Sequence, residues 1–324
     1  MIIFRNTVGA GLLALCVGMP TAASAQTSVA VGGGIDVTQG FWVVAKEKGF
    51  GAKHGIDITA KTFEGGSLAL QAVAAGDIVA SGTNGGLPTL RGKSKGANFV
   101  GVAAALKAPL ISCAASVAAV KSPKDLEGKT VGFMTGSSSE FWWSRYTALH
   151  KLGNVKTINL SPPETITALR GGQIVAFFNW QPWCSRAREI VKGSRILAWG
   201  GDDNLQPFAD AMISFHGDFV RDKPKVALAL LRAVDEAVAW IPKNVDEAAK
   251  IMAKAFRGKA DRFAGDIKKI QWGLRLDTEL RELLYEEARW MADKGLIKVA
   301  DPKALVDSYL HADLLKQIDP ARVK

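Results

Sequence analysis

The strongest constraint in this sequence is an alternation that holds from Ser28 to about Phe219 and then stops. "SVAVGG" and "IDITAKTF" read as strands, with "FWVVAKEKGFGAKHG" as a helix between them. "SLALQAVAAG" is helical, "IVASG" a strand, "GLPTLRGKSKG" a short helix and turn, and "NFVGVAAAL" another strand. Such alternation predicts parallel βαβ units and an α/β class. A second series follows "SCAASVAAV". In "SPKDLEG", Ser122 stands at an N-cap, Pro123 at the first helical position and Asp125 three residues after the cap, an acidic variant of the capping box. Strand "KTVGFM", a helix over 137–152, strand "KTINL" and helix "SPPETITALRGG" come next; the last repeats the device with Ser161, Pro162 and Glu164 and ends on a glycine stop. Strand "IVAFFNW", a helix from about Pro182 and strand "RILAWGG" complete the series. From Pro224 onward the pattern is helical. Val226, Leu230, Val234, Val238 and Ile241 form one apolar stripe, and Asn244 with Glu247 predicts a further cap. Two α/β units and a helical tail predict two lobes with a cleft between them, where small-molecule sites are favoured.

Composition narrows the class. Of 324 residues, 48% are hydrophobic and 22% charged, which suits a globular protein with ample core. The first 25 residues read as a secretory signal: Arg5, the apolar run "TVGAGLLALCVGM" and the A-x-A site Ala23-Ser24-Ala25. A lipoprotein signal on Cys16 fits less well, because Leu15 stands where a small residue is expected. No later stretch is apolar for the roughly 20 residues a membrane span needs. The mature chain is therefore expected in the periplasm. Export leaves Cys113 and Cys184, which could pair; the plainer expectation is two small buried apolar residues. Net charge is +10, but the basic residues are spread along the chain without a dense block, which gives nucleic-acid binding no support. No zinc pattern, Walker A or Rossmann glycine string occurs. "GGGID" at Gly32 to Asp36 reads as a loop rather than a phosphate cradle, and Asp202-Asp203-Asn204 lacks calcium-loop spacing. No cofactor or metal is expected.

Five segments together resemble a known family: "GFWVVAKEKGFGAKHGIDI", "GSLALQAVAAGDIVASGTNGGLP", "SPKDLEGKTVGFMTGSSSEF", "NLSPPETITALRGGQIVAFFNWQPW" and "FVRDKPKVALALLRAVDEAVAWI". In this order they look like the substrate-binding proteins of ABC importers for nitrate, sulfonates and taurine, a family with relatives that bind thiamine precursors. The resemblance implies a type II periplasmic-binding fold: two α/β lobes, a hinge, a ligand cleft and a helical C-terminal tail. It places lobe 1 at 26–118 plus 214–324 and lobe 2 at 119–213, with hinge segments near "SCAASVAAV" and "AMISFHGDF". It also implies a closed form that docks on a membrane permease.

Four loops are expected at the cleft. The first is Gln39-Gly40-Phe41-Trp42, where the rings of Phe41 and Trp42 could wall an organic ligand or belong to the core. The second is Gly82-Thr83-Asn84-Gly85-Gly86, offering backbone N–H groups beyond the end of a strand. The third is "MTGSSSEFWW", with Thr135, Gly136, Ser137, Ser138, Ser139 and Glu140. Ser137 and Glu140 make an S-x-x-E capping box, yet a helix start leaves more donors than the box uses, and Ser138 and Ser139 add hydroxyls. Glu140 offsets the helix dipole for an anion, or pairs with the cationic group of a zwitterion. The fourth is Asn179-Trp180-Gln181-Pro182-Trp183; many family members carry an acid at the position of Gln181, and here a neutral amide stands instead.

Catalysis finds no support. "GSSSE" is not the G-x-S-x-G elbow, and none of His54, His150, His216 and His311 has catalytic spacing around it. The expected function is a monomeric periplasmic receptor delivering a small organic anion, of sulfonate or carboxylate type, or a zwitterion to an ABC permease. The alternatives are a sensor subunit, or an enzyme like those that make a thiamine precursor on this fold; the cysteine-rich motif of those enzymes is absent here.

Overall fold

The computed structural model describes residue 1 and residues 26–83, 85–109, 111–205 and 210–324; the expected signal segment and Asn84 lie outside the described residues. In chain order, β1 (Thr27–Gly34), α1 (Gly40–Glu47), α2 (Phe50–Lys53), β2 (Ile56–Phe63), α3 (Gly66–Ala75), β3 (Ala80–Thr83), α4 (Gly86–Ser94) and β4 (Phe99–Lys107) form a first α/β series. It is followed by β5 (Ser112–Ser116), β6 (Thr130–Phe133), α5 (Ser138–Leu149), β7 (Lys156–Asn159), α6 (Pro162–Arg170), β8 (Ala176–Trp180), α7 (Trp183–Ile190) and β9 (Arg195–Trp199). Then come β10 (Met212–His216), α8 (Gly217–Asp222), α9 (Pro224–Trp240), α10 (Val245–Phe256), α11 (Ala260–Ile267), β11 (Gln271–Arg275), α12 (Thr278–Asp293), α13 (Pro302–Tyr309) and α14 (Asp313–Lys316).

Two sheets result, one of six strands in the order β11-β4-β10-β3-β1-β2 and one of five in the order β7-β6-β8-β5-β9. The expected parallel pairings are present between β1 and β2, β1 and β3, β6 and β7, and β6 and β8. Both sheets are nevertheless mixed. β10 lies antiparallel between β3 and β4, and β5 antiparallel between β8 and β9. These are the strands that enter a sheet from the other lobe, so no local crossover helix sets their direction. The pairings also move the expected lobe boundaries. Residues 112–116, placed with lobe 1 by sequence, belong to the second sheet, and Met212 and Ile213 belong to the first. The chain therefore crosses at 108–111 and between Trp199 and Met212.

Three further expectations need correction. The tail is not wholly helical: "QWGLR" forms β11, which covers the edge that β4 would otherwise expose. Asn244 does not cap α10 through its side chain; its Nδ2 donates to the Trp240 carbonyl at 2.9 Å, and Glu247 pairs with Lys48. Cys113 and Cys184 are not free thiols but form a disulfide with a Cα separation of 6.3 Å. It joins β5 to α7, which packs on it, inside the second lobe. By contrast, the boxes at Ser122/Asp125 and Ser161/Glu164 form as read, Leu230, Val234 and Val238 are buried along α9, and Ile241 is buried just past its end.

Candidate functional site

The N-terminal ends of α3 and α5 meet across the two lobes, and a cavity of about 20 Å³ lies between them. The first lobe supplies Asp36, Gln39, Gly66, Ser67 and Pro88; the second supplies Ser137, Ser138 and Trp180. Ser67 and Pro88 continue into a groove of about 410 Å³ between α3 and α4. Arg91 and Lys95 line this groove, and Met134, Thr135 and Gly136 of the opposite lobe close its end.

Local chemistry sets each wall. Asp36 is the N-cap of a short turn at Val37–Gln39: its Oδ1 accepts from the Thr38 backbone N at 2.9 Å and from the Thr38 hydroxyl. Its carboxyl is only 2% exposed, and burial pushes its pKa up to about 6 against the pull of those bonds. Gln39 turns its amide over Gly82, where a methyl group would overlap Oε1; glycine there is a matter of space. That Oε1 is buried without a hydrogen-bond partner. α3 begins at Gly66 without a side-chain cap. At α5, Ser137 is the N-cap, its Oγ accepting from Ser139 N at 3.2 Å and donating to the Met134 carbonyl at 2.7 Å. Trp180, 8% exposed, walls the cavity from β8.

The structure brings only part of the expected set to this place. Gln39, Ser137, Ser138 and Trp180 line the cavity, and Thr135 and Gly136 line the groove. Phe41 and Trp42 do not wall it: they are 0% and 1% exposed inside the first lobe, on a helix packed against α9 and α10, with Gly40 against Met252. Thr83 ends β3. The backbone donors of Gly85 and Gly86 are not open to a ligand, because Asp210 Oδ1 accepts from Gly85 N at 3.0 Å and Glu287 Oε2 from Gly86 N. Glu140 reaches past Ser137 to accept from Gly136 N at 2.7 Å, so the expected box is displaced by one residue. Ser139 is buried, its N–H spent on the Ser137 cap. Gln181 accepts from Ser185 N at 3.3 Å at the start of α7, and Trp183 is buried beneath Arg186, which donates to the Arg257 carbonyl of the first lobe. Sequence reading missed Asp36, Ser67, Pro88 and Arg91. Asp36 was legible as an Asx cap in "DVTQ"; nothing local marks the others.

A family model described as NMT1/THI5 like matches residues 38–248. A protein of Brucella abortus (strain 2308) assigned as a binding protein is 28% identical over 219 residues, 65% of this chain and 66% of its own length. A protein of Bacillus subtilis (strain 168) assigned as an aliphatic sulfonates-binding protein is 26% identical over 218 residues, 64% of each chain. Among solved structures, the alkanesulfonate-binding protein SsuA from Xanthomonas axonopodis pv. citri bound to MOPS superposes with a TM-score of 0.77 at 19% identity, covering 90% of this chain and 100% of that one.

Proposed function

The chain belongs to the NMT1/THI5-like family, and from that premise we propose that it is a periplasmic solute receptor that hands a small organic anion or zwitterion to the permease of an ABC importer. One observation carries the reading: the cavity takes its walls from both lobes, so a ligand there is gripped by Ser67 and Gln39 on one side and by Ser137, Ser138 and Trp180 on the other. Binding then favours lobe closure, the state a permease can distinguish from the empty protein. The Bacillus relative's assignment to aliphatic sulfonates supports an organic ligand. Ser138 and the start of α5 supply donors, and Trp180 supplies an apolar wall. The site binds without catalysing. No histidine lines the cavity among the described residues, and Ser137 is occupied by its own helix cap.

The test is a melting panel of alkyl and aryl sulfonates, carboxylates, amino acids, nitrate and pyrimidines on ligand-stripped protein. A cognate ligand at 100 times its Kd adds about 2.7 kcal/mol of stability. An unmoved melting temperature across the panel refutes the receptor, and steady product formation by mass spectrometry refutes simple binding.

A further inference from the structure

The cleft is electrically asymmetric along its length. At the inner end, the Asp36 carboxyl caps the Val37–Gln39 turn, Oδ1 accepting from the Thr38 N–H, with the Gln39 N–H also drawn to the carboxyl. Its Oδ2 has no hydrogen-bond partner among the described residues and lies toward Gly34 and the Gly66 backbone N at the start of α3. Gln39 also lines this end, but its Oε1 is turned against Gly33 and Gly82 and is closed to a ligand, so Asp36 is the acceptor the cavity presents. The inner cavity, about 20 Å³, has room for one group the size of a water or an ammonium, not for a sulfonate. At the outer end the polarity reverses. Arg91 and Lys95 line the groove, no acid lines it among the described residues, and neither cation has a carboxylate partner there. Arg91 Nη1 stands 3.4 Å from where a Cβ on Gly136 would be, at the junction of the lobes. The nearest carboxylate on the facing loop, Glu140, is engaged with Gly136 N.

Resting on the receptor reading, we propose that the cleft selects a dipolar ligand, with a small N–H-bearing cationic head entering against Asp36 and an anionic group held outside by Arg91 and Lys95. A purely anionic ligand would have to place its charge beside a buried carboxyl or leave that carboxyl unpaired. A site built around a buried hydrogen-bonding group discriminates strongly against an analogue lacking the complement. Burial of Asp36 fits this role, since a carboxyl held near pH 6 gains most from a cation that restores its charge.

The test uses matched probes on the ligand-stripped protein by calorimetry: 3-aminopropane-1-sulfonate against propane-1-sulfonate, and 5-aminopentanoate against pentanoate. The expected result is that the nitrogen-bearing member of at least one pair binds tenfold or more tighter, an order of magnitude set by one charge-assisted hydrogen bond. Asp36→Asn, which keeps an oxygen for the Thr38 cap, should bring that ratio to about one, as expected when the acceptor's charge is lost. Arg91→Gln should weaken both members together and leave the ratio standing. A deaminated probe that binds as tightly as its partner overturns the dipolar assignment while upholding the receptor. Failure of all four probes at millimolar concentration also overturns it, and the receptor then rests on the wider panel. The wild-type comparison decides the matter even if Asp36→Asn does not fold.

Discussion

At the residue scale, "MTGSSSEFWW" divides its labour between neighbouring serines. Ser137 holds the helix: it accepts from Ser139 N and donates to the Met134 carbonyl. Ser138 is 6% exposed and lines the cavity, with no side-chain hydrogen bond among the described residues. Ser137→Ala should therefore lower fold stability by about 1 kcal/mol through the lost cap. Ser138→Ala should leave the melting temperature close to wild type and weaken ligand binding about tenfold if its hydroxyl donates to a charged group. Melting curves and calorimetry on the two variants check this, and a Ser138→Ala protein that only melts earlier would remove the serine from the site. The tryptophans that follow are core. Trp142 is fully buried against Phe178, and Trp143 packs on Phe178 and Tyr146. A ring that walls a ligand and a ring that fills a core look alike in sequence, so Trp180, Phe41 and Trp42 could not be sorted before the fold was known.

At the element scale, α4 shows how a helix start is closed off. Asp210, from the crossing into β10, and Glu287, from α12, each accept one of its first N–H groups. Both carboxyls are fully buried. Burial, then the neighbouring Asp210 charge, pushes Glu287 up to about 8 from 4.5, and burial pushes Asp210 up to about 6 from 3.8. The folded protein therefore holds these protons more tightly than the unfolded chain. The pair costs nothing below the ordinary carboxylate range, and stability is lost as pH rises through about 6 and about 8. Glu287→Gln keeps an acceptor for Gly86 N without the titration. Its melting temperature should fall less steeply than wild type between about pH 5 and pH 8. Parallel curves for the two proteins would mean that Glu287 does not titrate in that window.

At the scale of the whole molecule, the lobes also touch away from the cavity. Arg145 of α5 pairs with Glu286 of α12, Trp290 Nε1 donates to Ser144 Oγ at 3.2 Å, and Phe141 meets Trp290 edge-on at 5.1 Å. At another point Glu189 of α7 meets Arg262 and Lys259. These contacts join the two lobes at residues that do not line the cavity. The Arg145–Glu286 pair is partly exposed, so screening limits its worth. Removing it together with the Ser144 bond, as Glu286→Gln with Ser144→Ala, should cost the closed state about 1 kcal/mol, or roughly fivefold in apparent affinity. Small-angle scattering of the ligand-free variant should show a larger mean radius. Unchanged affinity and radius would assign the clasp no part in closure.

What the sequence determined by itself was the set of local elements. Periodicity placed the strands and helices of both α/β series, and Ser122, Ser137 and Ser161 marked helix starts, because these signals depend only on residues within a turn or two of each other. Tertiary structure alone decided the rest. It sent β5 and β10 antiparallel into the opposite sheets, bonded Cys113 to Cys184, and brought Asp210 and Glu287 to Gly85 and Gly86. It also assembled the cavity from Asp36, Gln39, Ser67, Pro88, Ser137, Ser138 and Trp180. These residues share a site only because two sheets built from distant stretches of the chain come to face each other, and no local pattern along the chain encodes which side chains that meeting leaves in the gap.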